Sequence, residues 1–180
     1  MNKNDDNRNI CLYGFRCTGK TTVGGILARL MNRSFIDTDA DIQKTAGMTV
    51  SEIVKREGWQ GFRSRETMAV TAACLNGGNI IALGGGAVTI EKNVDILKKN
   101  ALLVWLKAKP ETVRARMQQD NDTKNLRPAL SDNGDPFKEV MELMEKRMPV
   151  YAAVSELAID TDDNSPDEIA HIILKMLSQN

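Results

Sequence analysis

Histidine is almost missing from this chain: its 180 residues include one, His171, set in a late helical pattern where a solvated helix position is the plain reading. Catalysis is therefore expected to use other groups. Cysteine is scarce too, with three residues, Cys11, Cys17 and Cys74, an odd number without a CxxC pair. That argues against a disulfide framework and against a zinc site, and it fits a reducing cytoplasm. Neither sign of charge is in excess, since Lys plus Arg and Asp plus Glu both total 24. Non-specific binding to nucleic acid or to an anionic membrane surface needs a basic excess, so neither partner is expected. An anion must then be held by a local site. No apolar run approaches the ~20 residues of a membrane span. The opening MNKNDDNRN is too polar and acidic to read as a signal peptide. Repeats, low-complexity stretches and interdomain linkers are absent as well.

What remains is an ordinary globular mixture, 42% hydrophobic and 27% charged, long enough for one domain spanning residues 1–180. Short apolar runs recur between helical patterns. Ile10–Tyr13, Ser34–Asp37, Ile80–Leu83, Ala101–Leu106 and Leu157–Asp160 read as five buried strands. Near-continuous apolar strands separated by helices predict a three-layer α/β/α sandwich around a parallel sheet. Helix starts are marked by a Thr49/Glu52 capping box, by Asp135-Pro136 and by Ser165-Pro166 with Glu168. One stretch fits neither class: residues 118–134, QQDNDTKNLRPALSDNG, are polar and longer than a typical connection. They read either as a surface loop or as an active-site lid.

The string GFRCTGKT, Gly14 to Thr21, matches G-x-x-x-x-G-K-[ST] between a predicted strand and a predicted helix. Its glycines let backbone amides curl around phosphate oxygens, and the helix N-terminus adds partial positive charge. Lys20 reaches the terminal phosphates, and the Thr21 hydroxyl suits Mg²⁺, a hard cation. Gly14, Cys17, Thr18, Gly19, Lys20, Thr21 and Thr22 thus form the expected ATP site. Other P-loop proteins share this element, but no NKxD, the guanine-specifying pattern, follows it along the chain. A compact chain with a lid-like insert favours phosphoryl transfer to a small acceptor, because a lid excludes competing water.

Asp37-Thr38-Asp39 follows the second predicted strand. Two acids at i and i+2 on a strand end would point the same way; alternatively they cap the next helix. Beside a P-loop they could support Mg²⁺ and activate a hydroxyl. Gly84-Gly85-Gly86 after the third strand is either a plain loop or a place where a ligand approaches backbone amides. Arg63, Arg116, Arg127 and Arg147 carry weight only as a set.

As a set, these features resemble the shikimate kinases over nearly the whole chain. The P-loop, the DTD, the GFRSRE stretch ending at Glu66, LGGGAV from Leu83 to Val88, the Arg127-Pro128 pair and the RMPVY stretch ending at Tyr151 occur in that family's order. The resemblance implies a fold like that of the nucleoside-monophosphate kinases, with five parallel strands and a mobile lid. It also implies ATP and shikimate as small-molecule substrates, Mg²⁺ as cofactor, a monomer, and a place in aromatic amino-acid biosynthesis. Residue by residue, it makes Asp39 the binder of the acceptor hydroxyls and the base. Lys20 and Arg127 act on the transferring phosphoryl group, and Asp37 joins Thr21 at the metal, through water. Arg63, Arg147 and the backbone of Gly84, Gly85 and Gly86 hold shikimate, from a helical region of about residues 38–75. Arg116 lies near adenine. Departures are Cys17, where the family usually has glycine, and a longer lid reading RPAL. A thiol among inward-pointing amides and beside Lys20 is expected to alkylate faster than Cys11 or Cys74. The competing readings are another hydroxy-acid kinase of this fold, such as a gluconate kinase, and an inactive nucleotide-binding regulator.

Overall fold

The computed structural model describes residues 7–119 and 136–179. Their strands are β1 (Asn9–Tyr13), β2 (Phe35–Asp37), β3 (Ile80–Ala82), β4 (Ala101–Lys107) and β5 (Leu157–Asp160). All pair in parallel in the order β2-β3-β1-β4-β5. The helices are α1 (Lys20–Met31), α2 (Thr38–Ala46), α3 (Val50–Ala73), α4 (Glu91–Asn100), α5 (Pro110–Gln119), α6 (Pro136–Val154) and α7 (Pro166–Gln179). The predicted strands are therefore all present, with ends shifted by a residue or so.

Alternation along β1 divides the interior. Ile10 and Leu12 face one side, in a cluster with Val23 and Leu27 of α1 and Ile169 and Ile173 of α7. Cys11 and Tyr13 face the other, with Val70 of α3, Leu97 of α4 and Val140 and Met144 of α6. Both faces of a central parallel strand are thus covered, which is why β1 has no polar interior position apart from its first residue. The order places β1 where the chain switches direction across the sheet: β1 to β2 runs one way, β3 to β4 the other. A crevice opens outside the carboxyl ends of strands at such a point.

Helix α3 supplies Trp59, Phe62, Arg63 and Glu66 to the lining of a cleft. Thr49 caps it through a reciprocal box with Glu52, the Glu52 carboxylate accepting from the Thr49 amide at 2.7 Å. At Gly58 the backbone leaves the helical region (φ 69°, ψ 175°), a left-handed conformation that glycine adopts without a Cβ clash. The bend turns Trp59, Phe62 and Arg63 toward the mouth of the sheet. Ile42, Val50, Ile53 and Phe62 pack beneath as a small separate cluster. The expected lid over residues 118–134 needs one correction: Gln118 and Gln119 belong to the last turn of α5. The rest of it, with Arg127, lies outside the described residues, as does Asp135.

Candidate active site

The loop between β1 and α1 wraps around its own carbonyl. Phe15 O accepts from Lys20 Nζ at 2.7 Å and from Thr18 Oγ1 at 2.9 Å, so the buried lysine and threonine both line the inside of the turn. Gly19 is the N-cap of α1 with φ 88°. Cys17 has φ 58°, in the left-handed region where a Cβ costs about 1–2 kcal/mol. The strain of that left-handed backbone thus falls on Cys17.

Asp37 and Asp39 do not share a strand end, and the i, i+2 expectation is corrected. Asp37 closes β2 and is the N-cap of α2, its Oδ1 accepting from the amides of Asp39 and Ala40 at 3.1 and 3.2 Å. Capping fixes it, and its other oxygen accepts from Thr21 Oγ1 at 2.7 Å. Asp39 stands in the first turn of α2 and lines a different space. A cap and a helical residue point in different directions even two positions apart, because the chain turns between them. Thr38 between them is buried and stitches α2 to the sheet, donating to Ala82 O at 3.3 Å and accepting from the Gly84 amide at 3.1 Å.

That stitch brings α2, α3 and the glycine run together. A Cβ on Gly84 would lie 2.5 Å from Asp39 Oδ1 and 2.7 Å from Glu66 Oε1, so two carboxylates rest on its bare Cα. Only glycine leaves room there. Glu66, with a side chain 1% exposed, takes Arg63 at 2.6 Å. The Arg63 guanidinium packs against Gly86. Arg147 donates to Gly85 O at 3.2 Å, and the Tyr151 hydroxyl donates to the same oxygen. Arg147 also lies 5.8 Å over the Phe15 ring, and Arg16 lies 5.8 Å over it too.

Asp39, Arg63, Glu66 and Arg147 line one cleft, closed on its apolar side by Val50, Trp59, Phe62 and Leu143. Arg16, Arg63 and Arg147 line it together with Asp39 and Glu66. Among the described residues, three guanidiniums and two carboxylates line the cleft. Burial pushes the Glu66 carboxyl above its ordinary value; Arg63 opposes the rise and Asp39 adds to it. Burial likewise raises Tyr151, which suits its role as a donor to Gly85 O. The roles of Glu66, Tyr151, Thr38, Trp59 and Arg16 were not assigned from the residues. The FRSRE and RMPVY stretches were the available signals for the first two, whereas Thr38 and Arg16 carry no separate signal.

Arg116 of α5 bridges the phosphate loop to the end of β5. Its guanidinium donates to Cys17 O at 3.2 Å, to Thr161 Oγ1 at 3.1 Å and to Thr161 O at 2.5 Å. Thr22, next along α1, is exposed. Thr21 and Asp37 offer a hydroxyl and a carboxylate, both hard oxygen donors, beside the loop. That pairing fits Mg²⁺, which keeps several waters and takes few protein ligands. Among the described residues there is no cluster of three or more His, Cys, Asp or Glu placed to enclose a metal. Nor is any helix there long and apolar enough to cross a membrane.

A phosphate loop on the central strand, opening onto a cleft shaped for a small anion, defines a P-loop kinase that acts on a small molecule. The family model described as shikimate kinase matches residues 16–178. A shikimate kinase from Syntrophus aciditrophicus is 38% identical over 95% of this chain and 91% of its own. Shikimate kinase 2 from Shigella dysenteriae is 41% identical, covering 93% of this chain and 94% of its own. Among solved structures, shikimate kinase from Acinetobacter baumannii in complex with shikimate superposes with a TM-score of 0.87 at 34% identity, covering 96% of this chain and 94% of that one. The chain belongs to the shikimate kinase family.

Proposed function

We propose that the protein transfers the γ-phosphoryl group of ATP to the 3-hydroxyl of shikimate, giving ADP and shikimate 3-phosphate. The observation that supports this best is the arrangement over the glycine run: Asp39 and Glu66 on Gly84, Arg63 on Gly86 and Arg147 on Gly85, all on one cleft beside the phosphate loop. Arg63 and Arg147 offer planar forks that can bond two oxygens of a carboxylate. Shikimate held by its carboxylate at that end presents its hydroxyls toward Asp39.

Asp39 then orients the attacking hydroxyl and accepts its proton as the bond to phosphorus forms. Lys20 offsets charge on the phosphoryl oxygens, joined by Arg127, which lies outside the described residues. Thr21 and Asp37 hold Mg²⁺, which when bound neutralises phosphate charge. Arg116, tied to the Cys17 carbonyl, borders the nucleotide where adenine leaves the loop. The apolar wall of Trp59, Phe62 and Leu143 excludes water from the acceptor side, so that shikimate and not water takes the phosphoryl group.

A coupled ADP-release assay tests this with shikimate, gluconate and no acceptor. ADP should form with shikimate and Mg²⁺ together. Turnover with gluconate and none with shikimate would overturn the substrate assignment, and ADP release at equal rates without any acceptor would overturn the kinase reading.

A further inference from the structure

Arg147 and Tyr151 stand one turn apart on α6 and meet at one carbonyl. Arg147 Nη1 donates to Gly85 O at 3.2 Å, and the Tyr151 hydroxyl donates to the same oxygen. Residues four apart on a helix share a face, so both side chains reach the glycine run from one side. Arg147 is the carboxylate fork of the proposed reaction, whereas Tyr151 has no part in that chemistry. Its placement is nonetheless fixed from several directions. Tyr151 is 2% exposed, and its backbone carbonyl accepts from the Tyr13 hydroxyl at 2.7 Å. Its ring meets those of Tyr13 and Trp105 edge to face, with centroids 5.7 and 5.9 Å away. Tyr13 ends β1, immediately before Gly14, so Tyr151 is anchored to the strand that carries the phosphate loop.

Gly85 is where these parts converge. A Cβ there would lie 3.4 Å from Gly14 O, 3.6 Å from Arg147 Nη1 and 3.9 Å from the Tyr151 hydroxyl oxygen. The glycine run is thus laid between the phosphate loop and α6, with the Gly85 carbonyl turned toward α6.

We propose that Tyr151 is a positioning residue of the acceptor site: by holding the Gly85 carbonyl, its hydroxyl keeps the Arg147 guanidinium available to fork onto the acceptor's carboxylate. The inference rests on the reading of that acceptor as shikimate. A part-buried carbonyl needs a donor. Tyr151 meets that need with a group the reaction does not otherwise use, so Arg147 spends one N–H on Gly85 O and keeps the rest of its five. Burial raises the pKa of the phenol, which therefore stays a donor. Without the hydroxyl, Gly85 O falls to Arg147 alone. A charged donor binds such an oxygen more strongly than a neutral one. The guanidinium would then tighten on the protein, and the acceptor's carboxylate would have to displace it. The loss falls on acceptor binding and spares the nucleotide.

Tyr151→Phe tests this, because it keeps the ring between Tyr13 and Trp105 and removes one oxygen; a thermal melt verifies that it folds. Steady-state kinetics should show the KM for shikimate raised about 5–10-fold, as loss of one hydrogen bond gives. The KM for ATP should stay at the parent's value, and kcat should change less than the shikimate KM. Two further variants separate positioning from general loosening. Tyr13→Phe removes a hydroxyl from the same buried cluster without touching Gly85 O, and should lower the melting temperature while leaving the shikimate KM near the parent's. In an Arg147→Lys background, Tyr151→Phe should have little further effect, because the fork it serves is gone. An unchanged shikimate KM in Tyr151→Phe would overturn the proposal. So would equal losses for shikimate and ATP, or additive losses in the double variant. A parent that makes no ADP with shikimate would overturn the substrate assignment and this inference with it, a result told apart because it needs no variant.

Discussion

Arg63 and Glu66 lie one helical turn apart on α3 with 2.6 Å between guanidinium nitrogen and carboxylate oxygen, yet their surroundings differ: the arginine side chain is 27% exposed and the glutamate 1%. The buried acid anchors and the half-exposed base reaches the cleft, so Glu66 sets where the Arg63 fork points. Its second oxygen lies against Gly84 beside Asp39. Burial, the largest influence, raises the Glu66 pKa above 4.5. A carboxyl raised in the folded state contributes stability that is present below its unfolded value and is lost as pH rises through the folded one. Glu66→Gln removes that loss. Its unfolding free energy relative to the parent should therefore climb between about pH 4 and neutrality. Urea unfolding at several pH values checks this, and parallel curves would count against a raised Glu66. The same variant should show a higher KM for shikimate, because Arg63 loses its charged anchor.

Asp39 is expected to act on the acceptor hydroxyl. Asp39→Asn should cut turnover by about 10²–10⁴-fold, the range for loss of a general base, and leave ATP binding intact. Turnover near that of the parent, measured alongside nucleotide affinity, would reduce Asp39 to a helix-end residue.

Asp37 combines two functions that one substitution can separate. Asparagine keeps an oxygen for the amides of Asp39 and Ala40 and loses the charge facing Thr21. Asp37→Asn should thus melt close to the parent but need several-fold more Mg²⁺ for half-maximal rate. Asp37→Ala should in addition lose about 1 kcal/mol of cap. Thermal melts beside Mg²⁺ titrations distinguish the two, and an unchanged Mg²⁺ requirement in both would remove Asp37 from the metal site.

Arg63 and Arg127 should separate kinetically. Lysine cannot bond two carboxylate oxygens in a fork, so Arg63→Lys should mainly raise the KM for shikimate. Arg127→Ala should mainly lower kcat, because the charge it offsets develops during transfer. Steady-state kinetics with shikimate varied at saturating ATP would show the reverse pattern if the assignments are exchanged.

The phosphate loop, the five strands and the Thr49 cap were legible in the residues because each is a local event. A loop's glycines, a strand's apolar run or a cap's hydroxyl act within a few positions of themselves. The pairing of Asp37 with Thr21 was partly legible, through their shared expectation of binding Mg²⁺. The separation of Asp37 from Asp39 was not, because it depends on where α2 begins, and Asp37 itself sets that point as the cap. Tertiary packing alone decided the rest. Asp39 and Glu66 meet over Gly84 because Thr38 ties α2 to β3 and the bend at Gly58 turns α3 inward. Tyr151 reaches Gly85 O, and Arg116 spans Cys17 and Thr161, across separations of 45 to 99 residues. Contacts of that kind depend on the order of strands in the sheet, and no spacing along the chain encodes it.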